Sequence, residues 1–267
     1  MPGVWAVVWA LLLTMCSGGG LLASVVTPRA EFRQTFAFCP NGRVVIDNLY
    51  GDVRISGWDR DEVRVEAFKR GPGRLDDARI VVDSSSGLVS IRTLYLGSGE
   101  QPANVEYRIS VPRGASLQDI HLVNGGLSLT GLTGPVKASA VNGDIRAEGL
   151  AGEADLSTVN GRLEIDLAQV NRSRPISLSS VNGSISLSIP SGAGASLEAR
   201  NLSGGIQADL KRAWRALDGH LLRATLNRGG APITLRSVNG EISIKAGVRG
   251  QESGLRSRKT APVRLGS

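Results

Sequence analysis

Residues 121–165 read HLVNGGLSLTGLTGPVKASAVNGDIRAEGLAGEADLSTVNGRLEI, and the tripeptide Val-Asn-Gly recurs in them at 123–125, 141–143 and 159–161. It returns at 181–183 and 238–240. The first three copies lie 18 residues apart, and Gly125, Gly134, Gly143, Gly152 and Gly161 keep a spacing of nine. Each glycine is followed by a short alternating run, such as Leu127/Leu129, Ile145/Ala147 and Leu163/Ile165. Alternation with period two marks a half-buried strand. Turn–strand units recurring at about 20 residues mark a solenoid, whose coils repeat one supersecondary step. The expected fold is therefore all-β, a single-stranded parallel β-helix or β-solenoid with about 18–22 residues per coil.

Inward columns follow from the alternation. After the turn they read Leu127, Ile145, Leu163, Ile185, Ile206 and Ile242; before it they read Val136, Ala154, Ile176, Leu197 and Ile233. Val123, Val141, Val159, Val181, Leu202 and Val238, just ahead of the Asn position, are expected to complete this buried set because they are apolar throughout. Asn-Gly suits a sharp bend, since both residues tolerate positive φ. Parallel stacking would align Asn124, Asn142, Asn160, Asn182 and Asn239 in a ladder of amides, backed by Gly125, Gly143, Gly161, Gly183 and Gly240. Outward positions at a shift of 18 place Lys137 beside Asp155, Asp144 beside Arg162 and Arg146 beside Glu164, as cross-strand pairing favours. Glu148 beside Asp166 is the like-charged exception. One coil buries too little to offset the ordering of its backbone, so stability has to come from stacking and from caps at both ends.

The rest of the 267 residues sets the context. Residues 2–28 carry no charge, and Val4–Met15 is an apolar run followed by small residues, which reads as a secretory signal peptide or an N-terminal anchor over about residues 1–24. Cys16 lies where lipidation would fall, but Met15 before it is not small. Cys39 is then the one cysteine left after such processing, too few for a disulfide or a metal cluster. Net charge is +7, and from Lys245 onward six cations stand against Glu252, hence 6 − 1 = +5. Residues 248–267, basic and rich in Gly and Ser, are expected to be a disordered tail able to touch an anionic polymer or lipid of the envelope. Nucleic acid is not an expected partner, given few aromatics and no module signature.

Residues 31–122 are strand-rich but irregular, and read as longer early coils or an N-terminal cap; 123–247 hold the regular repeats. The insertion at 211–230 interrupts them, and its Ala-Trp-Arg-Ala-Leu stretch is expected to form one helical turn or an excursion. The segments VVIDNLYGDVRISGWDRDEVRVEAFKR (44–70) and YRISVPRGASL (107–117), with the serial SVNG/TVNG turns, resemble the bacterial "putative adhesin" domain of unknown function over roughly 31–246. The resemblance implies an exported β-solenoid and brings no catalytic residues. Cys39 ahead of Pro40-Asn41-Gly42 and the basic tail depart from it.

Chemistry is sparse. His121 and His220 are isolated, His121 alternating outward between Ile120 and Leu122, and no serine sits in a Gly-x-Ser-x-Gly elbow. Parallel β-helices include polysaccharide-cleaving enzymes, which need acids converging on a groove; Glu148 and Asp166 are the one carboxylate pair the register places together. Residues after the turn glycines run Gly126, Asp144, Arg162, Ser184, Gly205 and Glu241, which excludes a calcium ladder. Trp58, in the bend Gly57–Asp61, reads as cap packing rather than a sugar platform. The expectation is an exported, non-enzymatic, adhesin-like envelope-binding or scaffold protein without cofactor, in the periplasm, at the cell surface or extracellular. The alternatives are the ectodomain of an envelope-stress sensor and a polysaccharide-active enzyme.

Overall fold

The computed structural model describes residues 29–39, 42–71, 75–85, 87–97, 102–210, 213–218 and 220–247. The N-terminal apolar run with Cys16, read above as a signal peptide or anchor, and the basic residues 248–267 lie outside the described residues.

Chain order begins with β1 (Arg29–Ala37), β2 (Arg43–Tyr50), β3 (Val53–Trp58), β4 (Glu62–Arg70), β5 (Ala78–Ser85), β6 (Leu88–Tyr95) and β7 (Asn104–Pro112). The regular repeat gives β8 (Ser116–Asn124), β9 (Leu127–Thr130), β10 (Val136–Asn142), β11 (Ile145–Leu150), β12 (Ala154–Asn160), β13 (Leu163–Leu167), β14 (Ile176–Asn182) and β15 (Ile185–Pro190). The last third adds β16 (Ala195–Ser203), β17 (Ile206–Leu210), β18 (Ala213–Asp218), β19 (Leu221–Leu226), β20 (Ala231–Asn239) and β21 (Ile242–Gly247).

These strands build two long sheets. One runs β1-β4-β7-β3-β9-β11-β13-β15-β21-β17 and the other β18-β19-β16-β20-β14-β12-β10-β8-β2-β6-β5. A coil is one strand in the second sheet, an Asn-Gly bend, and one strand in the first. Coil-to-coil pairing is parallel and in register, as in Val136↔Ala154, Ala154↔Ile176 and Ile176↔Ile233. Inward side chains of both sheets form one continuous aliphatic core; Leu127, Ile145, Leu163 and Ile185 from one sheet and Val136, Ala154, Ile176 and Ile233 from the other are all at most 2 % exposed.

Three expectations need correction. The coils do not stack in simple chain order: β20–β21 slots between β14–β15 and β16–β17, so the later coil is the inner one. Likewise β2–β3 lies between β6–β7 and β8–β9. Second, residues 213–226 form no helical turn; the excursion is the antiparallel hairpin β18–β19, which pairs with β16 and covers that edge. At the other end β1, β4 and β5 pair antiparallel, so the irregular front half combines two true coils with antiparallel cover.

Third, the valines ahead of the Asn residues are not buried. Val141, Val159, Val181 and Val238 are 37–40 % exposed and Leu202 72 %. Period two wins over hydropathy: with Val136 and Ala138 inward, parity sends Ala140 inward and Val141 outward. The third inward row is therefore Leu122, Ala140, Thr158, Ser180, Ser237 and Asn201, four of them polar and all at most 5 % exposed.

Candidate functional site

The bend is the most repeated device in the molecule. Asn142 Nδ2 donates to Asn124 Oδ1 at 2.9 Å, Asn160 to Asn142 at 2.8 Å, Asn182 to Asn160 at 2.9 Å and Asn239 to Asn182 at 2.9 Å. The last link spans 57 residues because β16–β19 are bypassed. Tyr50 and Ser203 take the equivalent positions beyond the two ends of this run. The glycines beside the amides are required by space. A Cβ on Gly143, Gly161, Gly183 or Gly240 would overlap the carbonyl of the glycine in the adjoining coil. Each turn N–H instead donates to the carbonyl one coil on, Gly143 to Asn160 at 3.0 Å, Gly161 to Asn182 at 3.1 Å, Gly183 to Asn239 at 2.9 Å and Gly240 to Ser203 at 3.2 Å.

Behind the ladder, inside the tube, the polar inward row satisfies itself. Thr158 Oγ1 donates to Gly143 O at 3.0 Å and Ser180 Oγ to Gly161 O at 3.4 Å. In the early coils the same row becomes a buried network. Asn48 Nδ2 donates to the carbonyls of Gly51 at 3.0 Å and Val105 at 3.1 Å, and Thr93 donates to Asn48 Oδ1 at 2.9 Å. A hydroxyl has one proton, so the Tyr107 phenol must donate to Thr93 Oγ1, at 2.7 Å. Burial pushes the Tyr107 phenol up to about 12, although its hydrogen bond with Thr93 pulls the other way. The Tyr95 phenol is raised too, first by burial and then by nearby Tyr107. At the far end Asn201 Nδ2 donates to Gly240 O at 2.7 Å and Gly205 O at 3.2 Å, while its buried Oδ1 has no hydrogen-bond partner among the described residues. Sequence reasoning missed this network; the signal was a polar residue, Asn48 or Thr93, at the parity position of Ala140.

The outer faces carry the charges. Arg146 lies against Glu164, its Nε 2.8 Å from Oε2, and Arg162 approaches Asp144 at 3.7 Å. Lys137 and Asp155 are register partners but form no ion pair among the described residues. Glu198 accepts from Arg200 at 2.8 Å and Arg223 at 3.2 Å, and these two hydrogen bonds hold its carboxyl below the usual carboxylate range.

Glu148 and Asp166 are register partners on adjacent strands, β11 and β13. They point the same way from one open face, between Thr130 and Ser188 of the flanking strands. Clefts lie elsewhere: one of about 570 Å³ beside Thr133, Gln169 and Arg174, and one of about 540 Å³ beside Leu202, His220 and Arg236. His121 is exposed, its Nδ1 2.7 Å from Ser139 Oγ. Trp58 packs as a cap residue: its Nε1 donates to Glu62 O at 2.8 Å, and Arg60 and Arg64 lie over its ring. No group of three or more His, Cys, Asp or Glu able to hold a metal occurs among the described residues.

No curated protein matches the chain. Among solved structures, a "putative cell adhesion protein" from Clostridium sporogenes matches with a TM-score of 0.53 at 13 % identity, covering 82 % of this chain and all of that one. A "putative adhesin" from Parabacteroides distasonis matches at 12 % identity with a TM-score of 0.31, covering 81 % of this chain and 97 % of that one. At such identities the first likeness speaks for the fold alone. The Toastrack DUF4097 family model matches residues 44–245, and the chain belongs to that family.

Proposed function

We propose that the chain is an exported, non-enzymatic, adhesin-like solenoid that binds a component of the cell envelope through an outer strand face. The observation that carries this reading is the disposition of Glu148 and Asp166. Glycosidic cleavage needs an acid and a second carboxylate flanking the scissile bond from opposite sides. Glu148 and Asp166 stand side by side on neighbouring strands of an open face, outside the linings of both clefts, so the pair has no groove beside it to hold a sugar. What such a face offers is repetition, with small hydroxyls and ion pairs recurring at strand spacing. That suits a polymeric or extended partner. The names borne by the structural relatives, both adhesion-related, agree with it.

The test is co-sedimentation of the purified protein with envelope fractions, run beside a polysaccharide-cleavage panel. Saturable, salt-sensitive binding without cleavage is the expected outcome. Cleavage lost in Glu148→Ala or Asp166→Ala would replace this reading with an enzymatic one. The charge-free apolar run at Val4–Met15 favours a second reading, the ectodomain of an envelope-stress sensor. Protease protection in intact cells separates the two, since an anchored ectodomain stays with the membrane after shaving.

A further inference from the structure

The outward apolar row ahead of the bends is continuous across the stack. In stack order it runs Leu94, Leu49, Val123, Val141, Val159, Val181, Val238 and Leu202, each at least 37 % exposed except the half-buried Val123. At eight coils and about 4.8 Å per step it is about 34 Å long. A contiguous apolar stripe of that kind marks an interaction site rather than scattered surface. We infer that this face of the eleven-stranded sheet is a two-fold homodimer interface, with the two stacks running antiparallel.

Charge in the flanking rows chooses the occupant. In stack order β6, β2, β8, β10, β12, β14, β20, β16, the midpoint falls between β10 and β12. A two-fold axis there, lying along the strands, brings each row onto the same row of the second copy in reverse order. Lys137 then meets Asp155 of the other copy, and Asp155 meets Lys137. Asp47, two coils in from the β6 end of this series, meets Arg236, equally far from the β16 end, again twice. All four are exposed, and none has an ion-pair partner among the described residues. Between them Ser139 faces Ser157, and Val141 faces Val159, so small side chains meet at the centre. At the rim Arg92 comes opposite Arg200, but each already has its own acid, Asp83 at 3.1 Å and Glu198 at 2.8 Å.

Other occupants fit less well. A bilayer would have to desolvate Lys137, Asp155 and Asp47 on the same face, and the middle of the stripe offers no aromatic ring to a sugar. The area suits a modest dimer. From the Lys137 row to the Asn142 row is about 16 Å, so the face covers about 550 Å² per copy and about 1,100 Å² in the pair, the lower end of specific interfaces. The inference is independent of envelope binding, which the opposite, ten-stranded sheet can serve.

Sedimentation equilibrium of the full chain in mild detergent tests it, with circular dichroism confirming the fold of each variant. The wild type should show a concentration-dependent monomer–dimer equilibrium. Val159→Asp should weaken it on the order of a hundredfold, as a charge at the centre of an apolar interface does. Asp47→Arg should weaken it about tenfold, and Asp47→Arg/Arg236→Asp should restore it, because the reversed pair is again complementary. Co-sedimentation with envelope fractions, read on the same samples, should not change. A monomer at every concentration overturns the inference, as does a dimer indifferent to Val159→Asp or a double reversal no better than the single one. Envelope binding lost in Val159→Asp while the wild type stays monomeric assigns the stripe to that ligand instead.

Discussion

The middle of the solenoid and its two ends use the same inward row for different purposes. In the middle, where each coil resembles its neighbours, the row holds Ala140, Thr158 and Ser180, whose short side chains fill the tube or reach a glycine carbonyl one coil away. At the ends it holds Asn48 with Thr93, and Asn201, whose longer amides bridge several backbone groups at once. Repetition lets the backbone satisfy itself, because every coil presents the groups its neighbour needs. Where repetition stops, side chains take over that work.

The sharpest way to break the comparison is a methyl group at the bend. Gly161→Ala places a Cβ against the Gly143 carbonyl, where the stacked backbone on both sides leaves no room. A loss of about 3–5 kcal/mol is expected, the range of severe steric mutations. Gly87→Ala is the matching control at the end: φ is +80° there and nothing lies within 4 Å of the new carbon, so only about 1–2 kcal/mol of backbone strain is expected. Chemical denaturation of both variants checks this. Equal losses would mean that close stacking is not what the bend glycines serve.

The two end amides come next. Asn48→Ala strands the Val105 and Gly51 carbonyls and removes the acceptor for Thr93, which should cost about 3 kcal/mol. Asn201→Ala strands two carbonyls but also removes a buried Oδ1 that has no partner among the described residues, so about half that loss is expected. A denaturant-midpoint comparison that ranks Asn201 above Asn48 would reverse the assignment of the better-sealed end.

Alkaline titration separates the early coils from the rest. The Tyr107 phenol lies at about 12 in the fold against 10.0 in the open chain. The fold thus favours the protonated phenol. That contribution is whole below about pH 10 and is lost as pH rises toward about 12, up to about 2–3 kcal/mol. Tyr107→Phe should cost about 1 kcal/mol at neutral pH, through the lost donor to Thr93, yet flatten the fall in stability above pH 10. A variant that falls as steeply as the wild type would move the alkaline sensitivity elsewhere.

The register and the amide ladder were legible because a short period repeats them, and one coil's alternation predicts the next. The buried Val row was misread because hydropathy was allowed to outweigh parity at Val141, although Val136 and Ala138 already fixed which face it takes. The coil order was hidden for a different reason, since which coil neighbours which is a long-range fact. A trace of it is still present in the turns. Asn239 restores the consensus and can extend the ladder from Asn182, whereas Ser203 in Leu202-Ser203-Gly204 has no amide to offer. The degenerate turn thus marks the outermost coil, and the consensus turn marks the one that fills the gap. Asn48, Thr93 and Tyr107 lie on three strands that pattern alone does not bring together.

The smallest effect tests the ladder itself. Asn160 stands mid-run, donating to Asn142 and accepting from Asn182, but it is exposed and water competes for both bonds. Asn160→Ala should therefore cost only about 1 kcal/mol, far less than Gly161→Ala one residue on. The substitution leaves Asn142 Oδ1 and the Asn182 amide free to turn to solvent, so neither becomes a buried orphan. If amide coupling along the row is cooperative, Asn160→Ala should cost more than Asn124→Ala at the terminus, which loses one bond rather than two. Equal losses would reduce the ladder to a set of independent surface bonds. The close packing at the bend would then rest on the glycines alone.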